Sequence, residues 1–189
     1  MNNPQQLPYS TDSGLGQAAK IGLIVLQTDQ TIEDEFRHIL AVDGVACYHA
    51  RIANAMQVTP ETLAQMQVDL PVAANLLPKS FAFDAIGYAC TSGATIIGEE
   101  QVAQLILAQH PGARVSNPLT ACKAAFTALN LNSIALLTPY TPQVTQALSD
   151  NLCSSGFEIP HTGYFDIEDD FEVGRVDSAS IYNAIIALG

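Results

Sequence analysis

Charged residues are scarce in this sequence. Aspartate, glutamate, lysine and arginine make up only 14% of its 189 residues, whereas 48% are hydrophobic. A disordered chain combines low hydrophobicity with high charge density, so this composition excludes disorder. The length suffices to bury a core without disulfides or a structural metal. The scarcity of charge also indicates that more surface is buried than this chain alone can bury. The additional contact is either with another subunit, in which case we expect a homodimer, or with a missing part of the folding unit.

Basic residues are scarcer still. Seven of them stand against nineteen acidic residues, which gives a formal net charge of −12. Nucleic acid and anionic membrane surfaces would be repelled, and we expect neither as a partner. A small carboxylate substrate stays compatible with this charge, because backbone N–H groups act on an anion locally.

Long apolar runs and targeting signals are also lacking. No stretch approaches the roughly 18 apolar residues of a membrane span, and the polar segment 1–19 has no signal-peptide pattern. We interpret that segment as a flexible tail. The histidines have no zinc-ligand spacing and the cysteines form no CxxC pair, so we expect a cytoplasmic protein with free thiols and no metal. Three cysteines lie in predicted elements and are expected in the core: Cys47, Cys122 and Cys153.

What the sequence does contain, after residue 20, is an alternation of short apolar runs and helical patterns. Strands are predicted at 21–26, 45–52, 84–89, 114–116 and 133–138, with helices between them. Such alternation is typical of an α/β protein with a largely parallel sheet. Thr31 with Asp34 predicts one helix N-cap, and Thr59 before Pro60 predicts another. Segment 69–77 is predicted as a separate helix with Pro71 in its first turn, and a further helix is predicted from Gly98.

The two halves of the chain are weakly alike. Segments 84–92 and 133–141 are both apolar strands that run into turns rich in hydroxyl groups. Two similar lobes facing a cleft explain this likeness, and so does a chance match of two parallel strands. We assign the first lobe to 20–117 and the second to 118–189. No strand follows the last predicted helix, 177–188, so the second lobe is expected to be incomplete.

Cys90 is the leading candidate for catalysis. It lies where a buried strand gives way to a turn and a helix, the edge at which open α/β sheets bind ligands. Nearby N–H donors and a helix N-terminus favour the thiolate by lowering its pKa. Thr91 and Ser92 offer donors to a carboxylate or an oxyanion. The competing interpretation is a small buried thiol, which is common for free cysteine.

Two further side chains follow predicted strands. Tyr140 either donates a hydrogen bond to a substrate carboxylate or packs at the end of its strand. Asp29 either contacts a substrate or stabilises the start of the next helix, and the second role is slightly favoured. The acidic run 166–172 lacks the pattern of a calcium loop, so we interpret it as a solvated loop.

Several stretches resemble one enzyme superfamily. The segments 21–36, 51–66, 83–98, 132–140 and 169–185, which include YACTSG and LLTPY, resemble the aspartate/glutamate racemase superfamily. Within it, the likeness is to the branch of maleate isomerases and arylmalonate decarboxylases, and especially to ectoine-utilisation proteins. This resemblance implies two Rossmann-like lobes with mainly parallel sheets, related by a pseudo-twofold axis, with the active site between them and no cofactor.

The resemblance also implies roles for individual residues. Cys90 corresponds to the first-lobe cysteine of a two-cysteine racemase or isomerase, and Thr91, Ser92 and Tyr140 correspond to residues that hold the substrate carboxylate. Asp29 stands where maleate isomerases have an asparagine. The family's second cysteine follows the helix that matches 177–188, so the resemblance implies a truncated chain, with negligible racemase activity if the native chain is this short.

The leading hypothesis is therefore a cofactor-independent, cysteine-based racemase or cis-trans isomerase. Its substrate is expected to be a small amino or dicarboxylic acid, in ectoine degradation if the resemblance extends that far. A malonate-type decarboxylase is an alternative, although the family's decarboxylases have glycine at the position of Cys90. A non-catalytic module that binds a small acid is the other alternative.

Overall fold

Two parallel sheets organise the chain. The structure, a computed structural model, describes residues 3–189. The first sheet has the strand order β2-β1-β3-β4, and the second pairs β5 with β6. The strands are β1 Ala19–Leu26, β2 Val45–Ile52, β3 Ala85–Ala89, β4 Arg114–Ser116, β5 Ser133–Thr138 and β6 Glu158–Tyr164. All of these pairings are parallel, which confirms the predicted α/β class.

Helices connect the strands. They are α1 Ile32–Ile39, α2 Pro60–Asn75, α3 Thr91–Ile97, α4 Glu99–Leu107, α5 Pro118–Ala128, α6 Pro142–Ser154, α7 Asp170–Val173 and α8 Ser178–Leu188. The strands of the first sheet fall within the predicted first lobe, apart from Ala19, and β5 and β6 fall within the second. The lobe boundaries and the pseudo-twofold axis stay predictions. None of the helices in 3–189 is long and apolar enough to cross a membrane.

The core lies between the first sheet and the helices α2 and α4. Ile24 of β1 and Ile86 and Tyr88 of β3 are completely buried there. They pack with Leu70 of α2 and Val102 of α4 in one cluster. Each such side chain contributes about 1.5–3 kcal/mol on burial. The two strands predicted from continuous apolar runs, β1 and β3, thus lie at the centre of the sheet.

Helix α2 is longer than the sequence predicts. It continues through Pro71, where we predicted the first turn of a separate helix. Proline has no N–H, so the carbonyl of Gln67 loses its bond within the helix. The buried face nevertheless runs on through Leu70 and Ala74 on either side of Pro71. Packing of that face outweighs the local cost of the proline, and the predicted break was wrong.

The predicted caps have mixed outcomes. Thr59 accepts from the N–H of Thr62 and Pro60 takes the first helical position, as predicted for α2. Thr31 makes no side-chain cap at α1, so the predicted Thr31–Asp34 signature was wrong. Its place is taken by Asp29, whose carboxylate accepts the first N–H groups of that helix.

The cysteines predicted in the core lie elsewhere. Cys122 on α5 and Cys153 on α6 are exposed, and Cys47 on β2 is half-buried. Cys122 lines an open apolar groove between α5, β5 and α6, where solvent still reaches it. The prediction of core positions was therefore wrong for Cys122 and Cys153.

Candidate active site

A cavity of about 240 Å³ opens at the carboxyl ends of β1 and β3. This is the edge where open α/β sheets bind ligands. All five site residues proposed from the sequence line it, and they come from three separate stretches of the chain: Asp29, Cys90, Thr91, Ser92 and Tyr140. A cavity of this volume suits a ligand of only a few carbon atoms, since drug-sized ligands occupy about 300–1,000 Å³.

Cys90 is held where β3 passes directly into α3. The sequence predicted a turn here, but the helix begins at once with Thr91, and Cys90 is its N-cap. The Sγ atom accepts a hydrogen bond from the N–H of Gly93 at 3.2 Å and lies 3.7 Å from Ser92 Oγ. Gly98, with φ +93°, then separates α3 from the predicted helix, α4.

Gly93 is required at its position for steric reasons. A Cβ atom there would lie 2.5 Å from the Tyr88 hydroxyl and 2.9 Å from Cys90 Sγ. Both distances are far shorter than van der Waals contact. Glycine therefore permits the close approach of its N–H to the Cys90 sulfur.

Burial and hydrogen bonding have opposite effects on the pKa of the Cys90 thiol. Burial raises the pKa of the Cys90 thiol, while hydrogen bonds to Ser92 and to the N–H of Gly93 lower it, and the nearby Asp170 carboxylate raises it. The net effect is that the pKa of the Cys90 thiol is raised. The expectation that the helix N-terminus lowers this pKa was wrong in its net result, because Cys90 is only 4% exposed and a charge on its sulfur is poorly hydrated.

Tyr140 reaches the same cavity from just beyond β5. Burial raises the pKa of the Tyr140 phenol, and the neighbouring Cys90 and Asp170 raise it further, whereas Ser92 lowers it. The phenol is thus protonated at neutral pH and available as a donor. Together with the hydroxyls of Thr91 and Ser92, it gives one side of the cavity three O–H groups.

Asp29 caps α1 and lines the cavity at the same time. Its Oδ1 accepts hydrogen bonds from the N–H groups of Thr31 and Ile32, both at 2.9 Å. The capping interpretation that the sequence favoured is therefore confirmed. Its contact with a substrate stays a prediction.

The sequence analysis missed Asp170. Its Oδ2 accepts hydrogen bonds from the Thr28 hydroxyl and, at 3.1 Å, from Asn54 Nδ2. Burial raises the pKa of the Asp170 carboxyl, and the hydrogen bonds from Thr28 and Asn54 lower it. Asp170 lines the cavity with Cys90 and Tyr140, so a fourth stretch of the chain, far along the sequence, contributes to the site.

The acidic run 166–172 is held by backbone hydrogen bonds and is not solvated along its whole length. The N–H of Val58 donates to the carbonyl of Glu168, and the N–H of Asp170 donates to the carbonyl of Met56, both at 2.8 Å. These bonds hold the run against the loop after β2. The interpretation of 166–172 as a solvated loop was therefore wrong for Asp170. This residue belongs to the stretch 169–185, one of those that resemble the aspartate/glutamate racemase superfamily.

The charged side chains that line the cavity are all acidic: Asp29, Glu35 and Asp170. Within residues 3–189, no three histidine, cysteine, aspartate or glutamate side chains are grouped to hold a metal ion. The site therefore combines one thiol, three carboxylates and five hydroxyl-bearing residues, which are Thr28, Thr31, Thr91, Ser92 and Tyr140.

Comparison with known proteins agrees with this arrangement. The chain is 28% identical over 171 residues to a maleate isomerase of Geobacillus stearothermophilus, covering 84% of this chain and 68% of the relative. A variant of the Nocardia farcinica maleate cis-trans isomerase superposes with a TM-score of 0.81 at 24% identity, covering 90% of this chain and 73% of the other. The chain is similar to maleate isomerases and has their fold.

Arylmalonate decarboxylase shares this fold as well. A liganded double mutant of that enzyme superposes with a TM-score of 0.77 at 20% identity, covering 90% of this chain and 72% of the other. No protein-family model matches the chain. The maleate isomerase and arylmalonate decarboxylase likeness expected from the sequence is thus confirmed, while the ectoine role stays a prediction.

Proposed function

We propose that the chain is a cofactor-independent, cysteine-based racemase or cis-trans isomerase that acts on a small carboxylate. The observation that carries the proposal is the placement of Cys90 in one small cavity with the hydroxyls of Thr91, Ser92 and Tyr140. The similarity to maleate isomerases supports an isomerase.

The hydroxyl side of the cavity is the proposed carboxylate site. Tyr140 is a protonated donor there, and the first N–H groups of a helix, here those of Thr91 and Ser92, have no partner within the helix. Removal of an α-proton, or addition to a conjugated double bond, places extra negative charge on the substrate carboxylate. Donors already aimed at that charge stabilise it without reorganisation, which is the largest catalytic effect of this kind of site.

Cys90 is the proposed reacting group. As thiolate it either takes the α-proton of the substrate or adds to a double bond, in which case a carbon–sulfur bond forms and the electron pair moves to the neighbouring carbon. Rotation about the resulting single bond and loss of the sulfur then give the other geometric isomer. The Nocardia farcinica variant, which contains a covalently bound succinylcysteine intermediate, supports sulfur addition by analogy.

Proton NMR in D₂O tests the proposal. The purified chain is incubated with maleate, and separately with L-aspartate and L-alanine, and each sample is followed for conversion to fumarate or for loss of the α-proton signal. We expect conversion or exchange with at least one of the three, and a loss of at least 100-fold in Cys90→Ala, because the reacting group is removed.

Cys153→Ala is the matched control, because Cys153 is exposed and lies outside the cavity. This variant is expected to keep the rate of the unmodified chain. Equal rates in Cys90→Ala and Cys153→Ala would overturn the proposal.

A non-catalytic acid-binding module is the second candidate function. The raised pKa of Cys90 favours it, because a neutral thiol is a poor nucleophile and a poor base. A binding module would take up small carboxylates with equal affinity before and after Cys90→Ala, and it would show neither exchange nor isomerisation.

A further inference from the structure

Tyr88 brings a hydroxyl group into the apolar core. The residue is completely buried on the inner face of β3, in the same cluster as Ile86 and Leu70. Burying a hydroxyl costs folding free energy unless the group finds a good hydrogen-bond partner. A phenylalanine would fill nearly the same volume without that cost, so the hydroxyl of Tyr88 requires an explanation.

The partner that the core supplies to this hydroxyl is a weak one. The Tyr88 hydroxyl donates to the thioether sulfur of Met66 on α2, with 3.9 Å between oxygen and sulfur. A thioether is a weak acceptor, and Met66 is itself only 2% exposed. A buried polar group that is paired so poorly is often one with a catalytic role.

The second neighbour of this hydroxyl is the sulfur of Cys90. The Tyr88 hydroxyl and Cys90 Sγ lie 2.5 Å and 2.9 Å from one point, the position that a Cβ would take on Gly93. Because glycine has no Cβ, this space is open and the two groups are close neighbours. Tyr88 is not among the residues that line the candidate cavity, so it approaches the sulfur from the core.

The phenol and the thiol also affect each other's protonation. Burial raises the pKa of the Tyr88 phenol, and the charge and hydrogen bond of Cys90 raise it further. The phenol therefore keeps its proton at neutral pH and is available as a donor. For the Cys90 thiol, burial raises the pKa, whereas the hydrogen bond from Tyr88 lowers it.

Other groups that act on the same sulfur come from separate elements. Ser92 and the N–H of Gly93 belong to α3, and Asp170 belongs to α7. The charge of Cys90 also raises the pKa of Tyr140, which follows β5. A variant that loses only the Tyr88 hydroxyl retains all four of these groups.

We propose that Tyr88 is a positioning residue whose buried hydroxyl turns from Met66 Sδ to the Cys90 sulfur when the thiolate forms. Only the hydrogen moves, because rotation about the C–O bond redirects the O–H while the ring stays packed. A charged acceptor makes the stronger hydrogen bond, so the thiolate is preferred over the thioether. This inference rests on the proposed function, in which the Cys90 thiolate is the reacting group.

Tyr88→Phe tests the inference through the pH profile of Cys90. The rate of Cys90 alkylation by iodoacetamide is followed by mass spectrometry between pH 6 and pH 10. We expect alkylation at pH 7 to be about tenfold slower in Tyr88→Phe, because a hydrogen bond to a charged group is worth about one unit of pKa. A hydroxyl with a merely structural role would leave this profile unchanged.

Tyr48→Phe is the matched control. Tyr48 lies on β2, where its ring packs edge-on against Phe81 and Phe83, and it does not line the cavity. Its substitution removes the same hydroxyl group from the chain, and the Cys90 profile should stay that of the unmodified protein.

Met66→Leu provides a test with the opposite sign. The substitution removes the competing acceptor with little change in volume, so Cys90 becomes the remaining neighbour for the Tyr88 hydroxyl. We expect Cys90 alkylation at pH 7 to be about threefold faster, as a fall of about half a unit in pKa implies. In a Tyr88→Phe background, Met66→Leu should have no such effect, because the hydroxyl is then missing.

The outcomes separate this inference from the proposed function. A Cys90 profile that moves in neither Tyr88→Phe nor Met66→Leu overturns the inference, and so does an equal shift in Tyr48→Phe. If Tyr88→Phe does not fold, Met66→Leu decides alone: faster alkylation supports the inference and an unchanged rate overturns it. Alkylation requires no turnover, so the proposed function fails separately, through equal conversion rates in Cys90→Ala and Cys153→Ala.

Discussion

At Cys90, a single sulfur atom experiences opposing influences. The N–H of Gly93 and the Ser92 hydroxyl stabilise its negative charge, whereas burial and the Asp170 carboxylate destabilise it. Burial is the largest of these effects. The thiol is consequently protonated at neutral pH, and its reactivity depends on the pH of the solution.

The reactivity of Cys90 should therefore increase with pH. The raised pKa leaves less thiolate at pH 7 than a free cysteine, with its pKa of about 8.5, would have. We expect the alkylation rate of the Cys90 peptide by iodoacetamide, followed by mass spectrometry, to keep increasing above pH 9. A rate that levels off below pH 8 would contradict the upward direction of the pKa.

Asp170→Asn is the informative comparison for this measurement. Removing the Asp170 charge removes one cause of the raised pKa, so the pH profile of Cys90 alkylation should shift to lower pH. Alkylation of the exposed Cys153 in the same samples provides an internal control, and its profile should not move. An unchanged Cys90 profile would show that the carboxylate does not act on the sulfur.

At the scale of elements, α2 shows tertiary packing overriding a local signal. The helix retains Pro71 in its interior and buries Leu63, Met66 and Leu70 before it and Ala73 after it. An interior proline costs a helix about 3 kcal/mol in isolation. The sequence therefore predicted a helix boundary just before Pro71, whereas the buried face of α2 continues past this residue.

Pro71→Ala should stabilise the protein. The substitution restores an N–H for the carbonyl of Gln67 and removes a steric clash, partly offset by the greater freedom of the unfolded chain. We expect the free energy of unfolding in urea to increase by about 1–2 kcal/mol. Pro60→Ala is the matched control, because Pro60 occupies the first position of α2, where proline costs nothing. A gain as large in Pro60→Ala would contradict the explanation.

At the scale of the whole molecule, the two sheets are connected through the site. Helix α3, which begins at Cys90, packs against α5 and α6, and the segment 168–170 bonds to the loop after β2. An ion pair between Lys123 of α5 and Glu99 of α4, 2.5 Å long, adds a further link. Elements from both parts of the chain thus hold the cavity together.

This ion pair should contribute measurably to stability. Its side chains are only 19% and 18% exposed, so Lys123→Met leaves a poorly hydrated carboxylate without its partner. We expect a loss of about 1–2 kcal/mol in the free energy of unfolding by urea. The matched control is Arg37→Met, which breaks a pair with Asp34 whose side chains are 72% and 63% exposed, and should cost less than about 0.5 kcal/mol. Equal losses would refute the argument from burial.

The sequence by itself determined the α/β class, most strands and helices, and the side of the site that contains Cys90, Thr91 and Ser92. Those features depend on local periodicity and on residues adjacent in the chain, which a sequence displays directly. Asp170 could not be placed in that way, because it reaches the cavity through backbone and side-chain hydrogen bonds between segments more than 100 residues apart. The direction of the Cys90 pKa was likewise decided by the tertiary structure, since burial is a property of the packed molecule. Local sequence supplied the hydrogen-bond donors around the sulfur, and packing then excluded the water that would otherwise stabilise its charge.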